Sequence, residues 1–463
     1  MTCWNPGPDR RLGLTGALVN YVRHFSESTI DDRARRWGKY CVLDAFGCML
    51  AATSPHFTAV GILQRFLREE GGRPVASVVG FPSRTSRTLA ALVNGVLGYY
   101  CDSEPRHTPS VVHILPAVVP AALAVGEAES ATGRAFFAAV AAGIEVGCRV
   151  SQALDPKALY ARGFHPTSIG GTFGATAAAG CLLGLSESEW RNALGLAGQQ
   201  ACGLLAWVDD PTEHSRPLNP GLAARNGVAA AILASLGMGG PADPFEGKYE
   251  IFTAFSGVRR PEELTGGLES QLLMSELAAK RHVSCGFLHA GLDALLDLMT
   301  VHALSIGDID TLALHIARTP ARVVDNNPNK SHHAQYVLAV AALNGRVRIE
   351  DILGEGVIHP EVDRLSRHTT VVYDDELEKL YPRQYSAIVV LHTRDGRALE
   401  QRVDWPKGWP QNPMTDAQWM EKYTTLATSC CTPAQAARIA ELTLGIEDVR
   451  DVRELGAALS LRG

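Results

Sequence analysis

From about residue 135 to 236 the chain places alanine and glycine throughout segments whose apolar residues recur three and four positions apart. That spacing is the period of a helix with one buried face. A helix lined with small residues buries that face only by bringing its backbone close to another. This stretch therefore dictates a bundle of tightly apposed helices. The same period marks Leu14–Phe25, Ala34–Leu50 and Leu89–Tyr100, and within the small-residue region Ala135–Val150 and Leu222–Leu236. Ser186–Glu189, Thr415–Gln418 and Thr432–Gln435 have the form of capping boxes, in which two side chains satisfy free helix N–H groups reciprocally. The first opens a helix expected over Trp190–Leu205, and the third carries Pro433 at its first helical position. The most apolar run, Val111–Val125, is interrupted by His113, Pro116 and Pro120. It falls short of the roughly 18 residues a membrane span needs, so it reads as a buried helix.

After about residue 305 the pattern changes. Leu312–Ile316 and Thr369–Tyr373 read as strands, and Ala387–His392 and Ala398–Val403 alternate around Arg394-Asp395-Gly396, a hairpin turn. The last 50 or so residues return to helix. The expected fold is mainly α: a large all-helical domain over 1–270, a smaller α+β domain over 271–405, and C-terminal helices over 406–463 that rejoin the helical domain. A length of 463 residues fits more than one core.

The composition, 46% apolar and 20% charged with a net charge of −6, is that of a soluble globular chain without a nucleic-acid surface. Ten cysteines include no CxxC pair, which points to reduced thiols and cytoplasmic residence. Arg10 and Arg11 precede an apolar run soon broken by Asn20 and Arg23, so no clean signal peptide is expected and no membrane association.

Several motifs fail on context. Gly170-Gly171-Thr172-Phe173-Gly174 follows no strand and reads as helix packing, not a nucleotide loop. His332-His333 reads as an exposed pair without zinc-site spacing. No cysteine run suits an iron–sulfur cluster, and no GxSxG elbow is present.

Four segments concentrate titratable groups. Asp102, Glu104, Arg106, His107 and His113 crowd the link between two apolar helices; the plain alternative is a solvated loop. His165 precedes a helix start, where free N–H groups favour an anion. Arg216 lies in Ser215–Gly221, ahead of a helix expected to start near Leu222, and can fork onto a carboxylate. Lys280 opens a segment running through Ser284 and Cys285 to His289, and it is one of only eight lysines against 35 arginines.

Together these segments resemble the MmgE/PrpD family. Asn94-Gly95, Asp102–His107, Ser110-Val111-Val112-His113 and Pro120–Ala124 match its N-G, D-F-D-D-T-H, S-x-x-H and PAALA signature. Leu43-Asp44 with Gly47, Gly163-Phe164-His165 with Gly171–Ala175, Gly184-Leu185, Gly221 with Ala223-Ala224, Lys280 with Cys285 and His289, and Ala334-Gln335-Tyr336 extend the match along the chain. The family includes 2-methylcitrate dehydratase, cis-aconitate decarboxylase and iminodisuccinate epimerase. The resemblance implies a homodimer, no metal or organic cofactor, and a small polycarboxylate as substrate. Carried over by position, it implies catalytic roles for Asp102, His113, His165, Lys280 and Tyr336, and substrate binding by Arg106, His107, Arg216 and Ser284. His113, His165, Arg216, Lys280 and Tyr336 are then expected to line one cleft of roughly 300–1,000 Å³. The expected chemistry is proton abstraction beside a carboxylate by a lyase; an epimerase and a non-catalytic polycarboxylate binder are the alternatives. The chain departs from the family pattern at Glu104-Pro105-Arg106, where the pattern has two carboxylates and a threonine.

Overall fold

Helix starts are fixed by side chains that accept the first free N–H groups. Asp31, Ser86 and Thr132 cap Asp32–Ala51, Arg87–Tyr100 and Gly133–Ala153 through the N–H groups of Ala34, Leu89 and Ala135. Both arms of the capping boxes at Ser186/Glu189, Thr415/Gln418 and Thr432/Gln435 are formed. These helices belong to a computed structural model that describes residues 13–54, 57–268, 270, 272–353 and 358–461. Arg10 and Arg11 lie outside the described residues.

The Pro166–Leu183 helix runs between Gly133–Ala153 and Ser215–Ser235, and the last also packs on Arg87–Tyr100. The apposition is as close as the small residues demand. A Cβ at Gly170 would lie 2.6 Å from the Gly147 carbonyl oxygen, and one at Gly95 would lie 2.7 Å from the Gly221 Cα. The 170–174 glycines are thus packing residues, as their context implied. Leu115–Ala128 is the buried helix expected from the apolar run, although Val111, at φ 54°, precedes it in a left-handed turn.

Two boundaries differ from the sequence expectation. The helix bearing Arg216 starts at Ser215, not near Leu222. Pro217 falls in its first turn, where N–H groups have no helical partner, so the proline costs nothing there. Pro220 sits inside the same helix at the loss of one hydrogen bond. The capped helix after Ser186 ends at Gln200, and Leu205–Asp209 forms a separate 3₁₀ turn. Between them Gly203 takes φ +132°, a conformation open to glycine, and lies against Ser168 and Asn219.

The second layer is a four-stranded sheet in the order Thr369–Asp374, Ile309–Ala317, Ala387–Thr393, Ala398–Val403. Its first pair is parallel and the other two antiparallel, with Gly396 at φ 90° in the hairpin. Along Ala387–Thr393 the alternate residues Ala387, Val389, Leu391 and Thr393 are buried. The His289–Val301 helix covers that face.

The C-terminal helices pack on the N-terminal ones. Asp416–Ala427 and Pro433–Leu444 lie on Asp32–Ala51, and Arg453–Leu459 on Leu115–Ala128. Trp419 is held against Trp37 and Tyr40, with ring centroids 5.5 and 5.6 Å apart. Among the described residues no helix is long and apolar enough to cross a membrane. The mainly α fold with a smaller α+β part is as the sequence implied.

Candidate active site

The Arg87–Tyr100 helix ends in a loop that doubles back before Leu115–Ala128 begins. Asp102 starts the turn at φ 50°, a left-handed conformation aspartate tolerates better than most residues. Arg106-His107 then pairs antiparallel with Leu277-Ala278. This two-residue ladder sets the geometry of the site, because Lys280 follows directly and reaches back to the loop.

The Lys280 ammonium donates to the Asp102 carbonyl at 2.7 Å and to Asp102 Oδ1 at 2.5 Å, and lies 3.5 Å from Glu104 Oε1. The same Glu104 oxygen is 2.5 Å from His113 Nδ1. His332 Nε2 stands 3.7 Å from Asp102 Oδ2, and Arg216 Nη1 stands 4.0 Å from Oδ1. Arg216 also donates to the carbonyls of Tyr99 and Tyr100, and its guanidinium lies 4.8 Å from the centre of the Tyr99 ring. That ring meets His113 at 4.9 Å and His165 at 6.1 Å. His165 is the N-cap residue of Pro166–Leu183, and among the described residues its Nδ1 has no hydrogen-bond partner. Trp207, on the 3₁₀ turn, closes the group 5.7 Å from His165 and 6.1 Å from His332.

Burial governs the charges. It pushes the carboxyl of Asp102 up, but Lys280, His332, Arg216 and His113 outweigh it and hold Asp102 well below the usual range. Burial, with Asp102 nearby, raises Glu104 despite Lys280. Burial lowers His165 to about 3 and His332 to about 4, and with Lys280 and Arg106 it lowers His113 well below its ordinary value. The histidines are therefore neutral at pH 7 and able to take a proton. Glu104 fixes which His113 nitrogen faces it and leaves the other free to act as a base, stabilising the imidazolium that results. The cations around Asp102 can hold negative charge that develops beside that nitrogen.

Donor atoms of Asp102, Glu104 and His113, and of Asp102, Cys285 and His332, come within 4.8 Å of one another. Asp102 Oδ1 holds the Lys280 ammonium, while its Oδ2 has no hydrogen-bond partner among the described residues. Asp102, Glu104, His113, His165, Arg216, Lys280 and His332 are all buried. A cavity of about 290 Å³ lies farther along the same loop, lined by Thr108, Pro109, Glu276, Arg383, Trp405 and Trp409 among others. None of its lining residues belongs to the Asp102 group.

Two family models match most of the chain. The model of the MmgE/PrpD N-terminal domain matches residues 16–264, and that of the C-terminal domain matches 282–448. The chain belongs to the MmgE/PrpD family. It is 26% identical to the cis-aconitate decarboxylase-like protein oryM of Aspergillus oryzae over 96% of this chain and 97% of the relative. It is 23% identical to the cis-aconitate decarboxylase of Aspergillus terreus, over 98% and 97%. The human cis-aconitate decarboxylase is 25% identical, over 96% and 94%. This MmgE/PrpD chain is accordingly an enzyme of the lyase type.

Of the residues picked from the sequence, Asp102, His113, His165, Arg216 and Lys280 converge. Arg106 is buried nearby with its guanidinium 4.1 Å from the centre of the Tyr385 ring. The others are engaged elsewhere. His107 binds Ser110 at 2.8 Å and Glu276 at 3.4 Å, and so shapes the loop. Ser284 lies 3.4 Å from His289 Nε2. The Tyr336 hydroxyl donates to the Asp351 carbonyl at 2.7 Å, and among the described residues no hydrogen bond or ring contact joins it to the Asp102 group.

Two participants went unrecognised in the sequence. His332 is buried on Asp102, which corrects the exposed reading of the His332-His333 pair; the Lys330–His332 turn carries it inward ahead of an apolar helix. Lys422, on the returning Asp416–Ala427 helix, donates to Asp44 Oδ2 at 2.6 Å and to the Ser103 carbonyl at 2.7 Å. It braces the loop from behind, and burial pushes Asp44 up to about 6 against that pairing. A lone carboxylate inside the apolar run Val42–Leu50 was the available signal, because a buried Asp needs a partner.

Proposed function

We propose that this enzyme removes a proton beside a carboxylate of a small aconitate- or citrate-type polycarboxylate and expels water or carbon dioxide. The observation that carries the reading is the buried His113–Glu104 pair beside the Lys280–Asp102–Arg216 group. In elimination His113 takes the proton, the nearby cations hold the charge that develops on the carboxylate, and the imidazolium, held by Glu104, gives that proton to the hydroxyl as its C–O bond breaks and it leaves as water. In decarboxylation the same cations hold the electron pair released as carbon dioxide leaves, and the carbon takes up a proton drawn from solvent by way of His113. The relatives' names support the lyase class, and their substrate, cis-aconitate, is the first compound to try.

Within the proposed division at 1–270, 271–405 and 406–463, every part contributes. The first supplies Asp102, Glu104, His113, His165 and Arg216; the second Lys280 and His332; the third Lys422. A homodimer and cytoplasmic residence belong to the same reading; the nine described cysteines are all free thiols. Light scattering checks the dimer, and a monomer would contradict it.

An epimerase is the second reading, favoured by two neutral histidines, His113 and His165, around one Tyr99 ring. Turnover of citrate-, aconitate- and aminodicarboxylate-type compounds in deuterated water separates the two. Loss of 18 or 44 mass units, roughly one water or one carbon dioxide, marks the lyase; inversion with deuterium uptake and no such loss marks the epimerase. If Lys280→Ala and His165→Ala leave turnover unchanged, the assigned roles are wrong.

A further inference from the structure

We propose that the cavity beside Thr108 is a second ligand site, built for a small aromatic monocarboxylate. Its volume of about 290 Å³ is close to that of a small ligand pocket. None of its lining residues serves the Asp102 group, so the proposal does not depend on the reaction assigned above. The lining sets the charge of the ligand. Arg33 and Arg383 are its cations and Glu276 is its carboxylate, which leaves a single net positive charge. Among the described residues neither arginine forms an ion pair or a side-chain hydrogen bond, whereas Glu276 accepts from His107 Nε2 at 3.4 Å. One carboxylate on the ligand balances these walls, and a second would find no further charge to meet.

The walls set its shape. Trp405 and Trp409 supply indole rings, and Pro109 and Pro410 add flat apolar surface, which favours a ring over a flexible chain. The tryptophans are held in place by their own segment. Asn412 Nδ2 donates to the Trp405 carbonyl at 3.0 Å, and Trp409 and Asn412 face each other across a β-bridge. The Gly408 carbonyl accepts from the Ala279 N–H at 2.9 Å, and Gly408 takes φ +101°, where a Cβ would run into the Ala279 carbonyl. The segment thus lies flat against the backbone just before Lys280. The lining also carries two unmet donors. Thr108 is 4% and Trp409 1% exposed, yet Thr108 Oγ1 and Trp409 Nε1 have no hydrogen-bond partner among the described residues. Buried donors left unmet cost folding free energy, and a ligand carboxylate that accepts from one of them offsets that cost.

Calorimetric titration with three probes tests this. Phenylacetate is an aromatic monocarboxylate, phenylacetamide replaces its carboxylate by a neutral amide, and 2-phenylsuccinate adds a second carboxylate. The wild-type protein is expected to bind one phenylacetate per chain about tenfold more tightly than phenylacetamide, and 2-phenylsuccinate no more tightly than phenylacetate. Arg33→Gln with Arg383→Gln should remove that preference for the acid; both side chains are exposed, so the double variant is expected to fold. His165→Gln, in the Asp102 group, should bind phenylacetate as the wild type does. No saturation by about 10 mM phenylacetate overturns the site. Equal binding of acid and amide, or a preference that survives loss of both arginines, overturns it as well. Tighter binding of 2-phenylsuccinate overturns the monocarboxylate class. Weakened phenylacetate binding in His165→Gln would place the probe in the Asp102 group and overturn the second site, while the proposed function would stand in every one of these cases.

Discussion

In the proposed mechanism the chemistry turns on Glu104. Its Oε1 lies 2.5 Å from His113 Nδ1 and 3.5 Å from Lys280 Nζ, so one carboxylate orients the base and shares the charge of the cation. Glu104→Gln keeps the shape and removes the charge that stabilises the imidazolium. It is expected to lower kcat by about 10²- to 10⁴-fold with little change in melting temperature, checked by steady-state kinetics beside a thermal melt. Glu104→Asp, the residue type of the family pattern, should recover part of that loss; no recovery would mean that Glu104 acts only through packing. At this scale the sequence was informative where several titratable groups crowd one loop, as at 102–113. It was silent where partners come from far along the chain. His332 and Lys422 reach Asp102 and Ser103 across gaps of more than 200 residues, and only folding reveals such pairs. Tyr336 shows the converse: a position can match a family motif while its hydroxyl is spent on a local carbonyl.

At the scale of elements, the site depends on how closely two helices meet. Arg216 sits in the first turn of Ser215–Ser235, and its carbonyl partners end the Arg87–Tyr100 helix. These helices touch through Gly95 and Gly221, where a Cβ on Gly221 would lie 2.7 Å from the Leu92 carbonyl oxygen and from Val96 Cγ2. Backbone atoms cannot yield as a side-chain tip does, so Gly221→Ala must separate the helices. We expect a loss of about 1–3 kcal/mol, read by urea unfolding, together with a fall in kcat/KM as the Arg216 fork leaves Tyr99 and Tyr100. A stable but fully active variant would show that the site tolerates the shift. These helices and the strands were legible because period and caps are local. The start at Ser215 was not, because prolines that end most helices are harmless in a first turn. The break after Gln200 was hidden as well: it depends on Gly203 fitting against Ser168, a contact made only in the fold.

The whole molecule carries an unusual load of buried neutral histidine, and its stability must follow pH accordingly. Burial lowers His165 and His282 to about 3 and His332 to about 4, and takes His113 and His289 well below their ordinary value. In the unfolded chain each binds its proton near pH 6.5. Between about pH 6.5 and 3 the unfolded state thus holds more protons, and each such histidine makes stability rise with pH and fall on acidification. Buried carboxylates oppose this at the upper end. Burial raises Asp44 and Asp293 to about 6 and Glu145 to about 7, so they contribute stability that is lost as pH rises through those values. The two sets offset each other near pH 6. Below about pH 5 unfolded carboxylates also begin to take protons, their opposition fades, and the histidine term is left to act. The steep loss of stability should therefore fall between about pH 5 and 3. His165→Gln isolates one share of it, because that ring has an unpartnered Nδ1 and no carboxylate contact. Urea unfolding across that range should give the variant a pH slope shallower than wild type by up to about 1.4 kcal/mol per pH unit, one proton's worth. Parallel slopes would mean that His165 is protonated inside the fold. Such a ring would keep a pKa closer to its ordinary value, against the lowering by burial.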